Sequence, residues 1–240
     1  MRTKFWIVFA AIGSLALHGV AQTYSTGGHR DALLTTTTLR RLIIGADAVQ
    51  MRRDVDFDRV TQELEVTRYA AFLGAEVLPW LTLYGTIGQM EADVGMGTLD
   101  DGLAGSVGLQ GRLWKMDIRD PAFMAGRASL RTGVEYLYAA LDLGNWKALT
   151  VGVQLHYELF TESIQTTDRV PYSLGLYAGP IYSWLDGRAD DALWGEDFEG
   201  SSAWGIAAGA ELNISHNLLV AVGIEYVDHS TWSASLRYAF

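Results

Sequence analysis

Among the ionisable side chains of this chain, eleven of both signs fall within its alternating runs on the less apolar face: Arg68, Glu76, Arg112, Arg127, Arg131, Glu135, His156, Glu158, Glu211, Glu225 and Arg237. Brought together in a narrow enclosure, such a set would form Arg–carboxylate bridges in a poorly screened medium. The chemistry on offer is then ionic locking of an interior, or a charged lining that selects small solutes. A second group, Asp54, Asp56 and Asp58, supplies oxygen ligands of the kind that hold calcium. It lacks the glycine and distal glutamate of an EF-hand loop, so a solvated acidic loop is the expectation there. The same reading applies to Leu99-Asp100-Asp101-Gly102 and Asp190-Asp191. The absence of cysteine excludes disulfides, thiolate metal sites and cysteine nucleophiles, and no cofactor is expected.

The elements that must hold these groups show a dominant period of two. In residues 148–160, Leu149, Val151, Val153, Leu155, Tyr157 and Leu159 share one face, opposite Thr150, Gly152, Gln154, His156 and Glu158. Residues 127–138 set Ala128, Leu130, Thr132, Val134, Tyr136 and Tyr138 against Arg127, Ser129, Arg131, Gly133 and Glu135. Similar runs cover 41–52, 64–77, 80–91, 104–116, 125–139, 147–160, 171–184, 203–214, 218–228 and 231–240. The charged candidates fall on the less apolar face of these runs. A soluble sandwich would cover that face with charge, whereas here it is mostly Gly, Ala, Ser and Thr, as suits a tight interior. The expectation is a closed, antiparallel, up-and-down transmembrane β-barrel of about ten strands, with eight as the alternative. Leu78-Pro79 and Ser215-His216-Asn217 are expected as short turns, and 92–103 and 185–202 as long, acidic external loops.

Residues 1–21 carry Arg2 and Lys4, an apolar run from Phe5 to about Leu17, and Gly19-Val20-Ala21, a small-x-small pattern. This is a signal peptide with cleavage after Ala21, since the apolar run is too short for a comfortable membrane helix. Residues 22–40 are a polar, Thr-rich tail, and 41–240 the barrel domain. The net charge is −10, and loss of the leader leaves 16 basic against 28 acidic side chains, so nucleic acid is not expected as a partner. Eight Trp and eleven Tyr suit the two water–lipid boundaries of a barrel.

The last strand alternates Trp232, Ala234, Leu236, Tyr238 and Phe240 with Ser233, Ser235, Arg237 and Ala239. This ending resembles the C-terminal strand of bacterial outer-membrane barrels, and the chain is similar in pattern to small OmpA-type transmembrane barrels. The resemblance implies outer-membrane localisation, contact with outer-membrane lipid and lipopolysaccharide, and recognition of Trp232, Leu236, Tyr238 and Phe240 by the barrel-assembly machinery. Two enzyme families of barrels fit less well. Omptin proteases pair an Asp-x-Asp with an Asp-x-His element; Asp54 and Asp56 resemble the first, but here Asp228 and His229 are adjacent and would diverge on a strand. Barrel lipid hydrolases use His-x-Ser, and none of the five histidines has Ser two places on. The expected role is therefore noncatalytic, envelope-structural or surface-interacting. A narrow porin-like channel is the alternative, and a membrane-embedded hydrolase the third reading.

Overall fold

The computed structural model describes residues 42–57, 60–94, 97–118, 126–142, 144–160, 173–189, 197–215 and 217–240. The expected leader (1–21), the tail (22–40), Asp58, Asp190-Asp191 and the 161–170 connection lie outside these residues.

Eleven strands follow in order: β1 (Leu42–Phe57), β2 (Val60–Leu78), β3 (Leu81–Val94), β4 (Gly97–Ile118), β5 (Gly126–Leu141), β6 (Gly144–Phe160), β7 (Ser173–Ala189), β8 (Asp197–Gly200), β9 (Trp204–Asn213), β10 (Leu218–Tyr226) and β11 (Ser230–Ala239). All but β8 pair antiparallel with their sequence neighbours, β7 pairs with β9, and β11 returns to β1 from Ile43↔Ala239 to Gln50↔Trp232. The result is a closed ten-strand barrel with no free edge, the condition for a sheet to cross lipid. Phe240 N–H donates to the Leu42 carbonyl at 2.9 Å, so both ends of the barrel sequence lie at one rim, here called the near end.

Outward side chains at and above the near end form an apolar belt. It includes Leu73, Ile87, Val107, Leu155, Leu176 and Val222, all well exposed on the bare barrel. Aromatic side chains edge it, with Trp80, Trp114 and Phe240 toward the near end and Trp204, Tyr226 and Trp232 toward the far side. Strands whose outward face is aliphatic and whose inward face carries charge are built for hydrocarbon on the outside. The two predicted turns are tight: Leu78 pairs with Leu81 across Pro79 and Trp80, and Ser215 Oγ accepts from the Asn217 and Leu218 amides.

Beyond the far edge of the belt the polarity reverses. Strands β1 to β7 continue past the ends of β9, β10 and β11, and the outward positions become Asp54, Asp56, Glu63, Glu65, Glu91 and Asp93. The inward positions become apolar. Val55, Leu64, Val66, Met90, Trp146, Leu185 and Phe198 pack into one core, with Val55 and Leu64 fully buried. Here the circle is completed by β8, which pairs with β7 at Asp186–Arg188 and with β1 at Val55–Phe57. The molecule thus has a ten-strand storey that is greasy outside and polar within. On top of it sits an eight-strand storey that is charged outside and greasy within.

This storey corrects three expectations. Residues 92–94 and 97–103 are strand, paired across β3 and β4 with one irregularity between Glu91 and Asp93, instead of a long loop. Residues 185–189 extend β7 and 197–200 form β8. Asp54 and Asp56 stand on β1, not on a loop beyond it. In each case the alternation persists, but charge now marks the wet outside.

Candidate functional site

Inside the ten-strand storey the inward residues enclose a cavity of about 340 Å³. Its roof is the apolar core of the upper storey, represented by Met51, Val66, Met90, Leu137 and Leu185, and its walls are charged. Three polar knots tie those walls together. In the first, Arg131 on β5 reaches Glu211 on β9, its Nη1 donating at 3.0 and 2.9 Å to the two carboxylate oxygens. The pair therefore bridges the lumen past β6 and β7. His156 Nε2, on β6 and 1% exposed, stands 3.1 Å from the same carboxylate. The ring fits because position 175 on the neighbouring strand is glycine, and a Cβ there would collide with the imidazole.

In the second knot, Glu135 receives the Tyr84 hydroxyl at 3.0 Å and lies 3.7 Å from Arg68 Nη1. Tyr84 stacks on Phe72 at 5.3 Å, and the Arg237 guanidinium covers the other ring at 4.4 Å, a cation–π contact. Arg237 also faces Asp47 at 4.0 Å. The third knot lies toward the near end. Ser173 Oγ donates to Glu158 at 2.7 Å, and the Asn213 amide bridges the two.

Glu225 is in the cavity wall. Arg112 donates to the Pro79 carbonyl at 3.3 Å and Arg127 pairs with Asp117 at 2.7 Å, both half-buried toward the near rim, as is Glu76 on the same side. Trp232, Leu236, Tyr238 and Phe240 alternate along the outward face of β11 and its end. Asp54 and Asp56 are not gathered into a cation site: Asp56 accepts from Thr61 at 2.6 Å, and Asp54 lies 3.1 Å from His229 Nε2.

Sequence reasoning missed the junction between the storeys. Arg53, 3% exposed, donates to Ser183 Oγ at 3.1 Å and the Ser202 carbonyl at 2.6 Å, and pairs with Asp228 at 3.3 Å. Asp228 also accepts the Asp54 amide at 3.2 Å. Asp228 and His229 lie in the bend between β10 and β11 and not on a strand, with Asp228 turned in to Arg53 and His229 set against the Asp54 carboxylate. Asp228 thus holds a guanidinium and a backbone amide, and Asp54 an imidazole, which makes both fasteners of the wall. Among the described residues, both imidazoles hydrogen-bond to carboxylates and not to a hydroxyl nucleophile.

A closed ten-strand barrel with a lipid-facing belt and a locked polar lumen defines a small transmembrane β-barrel of the outer-membrane kind. No family model and no curated protein matches the chain. Among solved structures it is similar to the transport unit of the autotransporter AIDA-I from Escherichia coli, at 12% identity and a TM-score of 0.39, covering 87% of this chain and 94% of that one. It is also similar to the β domain of the Bordetella autotransporter BrkA (11%, TM-score 0.33, 83% and 99%). A third is Ail, the attachment invasion locus protein of Yersinia pestis (12%, TM-score 0.26, 83% and 98%). Scores this low carry no functional argument.

Proposed function

We propose that the protein is a noncatalytic outer-membrane barrel that keeps its lumen shut and presents the charged upper storey at the cell surface. One observation carries this reading: the reversal of polarity above the belt. An interior packed with Trp146, Phe198, Leu64 and Met90 is a plug, and a plug is a poor lining for a diffusion path. The outside of that storey supplies the surface. Asp54 stands opposite Glu63, Glu65 opposite Asp93, and Glu91 opposite Asp101 across their strand pairs. Arg52 lies 3.1 Å from Glu65 and 3.8 Å from Glu63, and His229 meets Asp54, which offsets part of the repulsion that directly opposed like charges bring and leaves the face acidic. Divalent cations bridging this face to lipopolysaccharide phosphates would offset more of it, with the storey projecting to the exterior and the near end in the periplasm. Export through the 1–21 leader and insertion by the barrel-assembly machinery belong to the same reading.

The test is reconstitution of the mature chain in planar bilayers and in lipopolysaccharide vesicles. The reading expects no steady conductance, and a magnesium-dependent association of the upper storey with lipopolysaccharide that Glu65→Lys with Asp93→Lys weakens. A stable open level in every insertion would instead support a narrow channel, for which the charged cavity is the favouring observation.

A further inference from the structure

The cavity does not end uniformly at the apolar roof. On the side where β9, β10 and β11 stop short, its wall is made by Arg53, Ser183, Glu225, Val227 and Thr231. Directly above that wall runs the segment leading from β8. Ser201 N–H donates to the Asp54 carbonyl at 3.0 Å, Ser183 N–H to the Ala203 carbonyl at 2.7 Å, and Arg53 reaches the Ser202 carbonyl. The chamber is thus separated from the exterior here by one buried guanidinium, its Asp228 partner and a short strand.

That strand is the weakest-held part of the wall. It pairs over three residues with β7 and three with β1, against sixteen between β1 and β2. Phe198 is its only side chain in the core, resting on Phe57 at 5.3 Å and over Gly187, where any Cβ would strike the ring. Its outer face works against it. Glu199 stands in register with Asp186 on one side and Asp56 on the other, three carboxylates in a row across three strands. Asp186 has Lys147 at 2.7 Å and Asp56 has the Thr61 hydroxyl, whereas among the described residues no basic side chain pairs with Glu199. Cross-strand repulsion on both edges offsets part of what Phe198 contributes.

We propose that β8 is a displaceable strap over a side exit of the lumen, latched by Arg53, so that the barrel is a gated pathway for small inorganic ions. The exit opens beside the turn at residues 227–229, on the aqueous side of Trp204, Tyr226 and Trp232, so it discharges into water and not into lipid. The chamber behind it carries charges of both signs, which suits hydrated salt ions and excludes apolar cargo. This rests on the proposed reading that the lumen is shut while the strap is in place.

The chain has no cysteine, so a strap lock is clean: Asp56→Cys with Glu199→Cys places two thiols at directly paired positions. The protein is reconstituted in planar bilayers in potassium chloride, with heat-modifiable migration as the check that each variant is a closed barrel. Wild type should show brief, rare openings. Phe198→Ala with Arg53→Gln should raise their frequency roughly tenfold. The oxidised double-cysteine barrel should be silent and should recover its openings on reduction. Identical records from the oxidised and reduced barrels, or silence in a folded Phe198→Ala, Arg53→Gln barrel, would overturn the strap. A steady conductance that persists in the oxidised barrel would instead overturn the shut lumen on which the strap depends.

Discussion

At the scale of single residues the interior is held by charges that each serve more than one neighbour. Glu211 is the densest case, since one carboxylate receives Arg131 twice and His156 once. Glu211→Gln should leave a guanidinium and an imidazole without their anion in a half-dry lumen. A hydrogen bond to a charged group contributes about 1.5–3 kcal/mol, so the expected loss is of that order, read as a lower urea midpoint for the folded barrel in detergent. Glu76→Gln, on the near side and outside these knots, should change the stability read from the same midpoint by less than about 0.5 kcal/mol. The lumen candidates were legible in the sequence because a two-residue period places every second side chain on one wall. Asp47 and Arg53 were not. Around Asp47 both faces of β1 are weakly apolar, with Ile44, Ala46 and Ala48 opposite Gly45 and Val49, so the phase is ambiguous. Arg53 sits where Arg52-Arg53-Asp54-Val55-Asp56 reads as a charged loop, although Val55 and Phe57 still keep step with the strand.

At the scale of elements, the upper storey behaves as a small water-soluble barrel joined to a membrane one. Its core should answer to the rules of soluble cores. Trp146 is 2% exposed, and its indole nitrogen has no hydrogen-bond partner among the described residues. Trp146→Ala should therefore cost about 3–5 kcal/mol through the cavity it leaves. Trp146→Phe keeps most of the packing and removes an unsatisfied donor, so its cost should stay under about 1.5 kcal/mol. Urea unfolding of the two variants separates these outcomes. Strand identity was legible from sequence here, but strand length was not. An apolar-out rule ends each strand where Glu63, Glu91 or Asp186 takes the outward place, and the hydrogen-bonded ladder takes no notice of that change. The short β8 carried no legible signal at all, since four residues with one inward Phe198 show no period.

At the scale of the whole molecule, the two storeys fix where lipid must end. Tryptophan fluorescence in brominated-lipid bilayers provides the check. Trp80, Trp114, Trp204 and Trp232, exposed around the belt, should be quenched, whereas Trp146, enclosed in the upper core, should not. Single-tryptophan variants give this residue by residue, and strong quenching of Trp146 would place the upper storey inside the bilayer and contradict the polarity reversal. The closed barrel, its ten long strands and its inward and outward faces followed from alternation, because hydrocarbon and lumen impose opposite demands on successive side chains. What alternation does not encode is how far the sheet continues once water replaces hydrocarbon.

The wall is of unequal height. β9, β10 and β11 have ten, nine and ten residues, while β2 has nineteen and β4 twenty-two. Nine or ten tilted residues reach about 25 Å, barely the depth of an outer-membrane hydrocarbon layer. The barrel therefore carries its own depth gauge on one flank. A thicker membrane would cover that flank first and press acyl chains against the exposed His229 and its Asp54 partner, where a thinner one would leave them in water, so host lipid composition itself becomes an input to this protein.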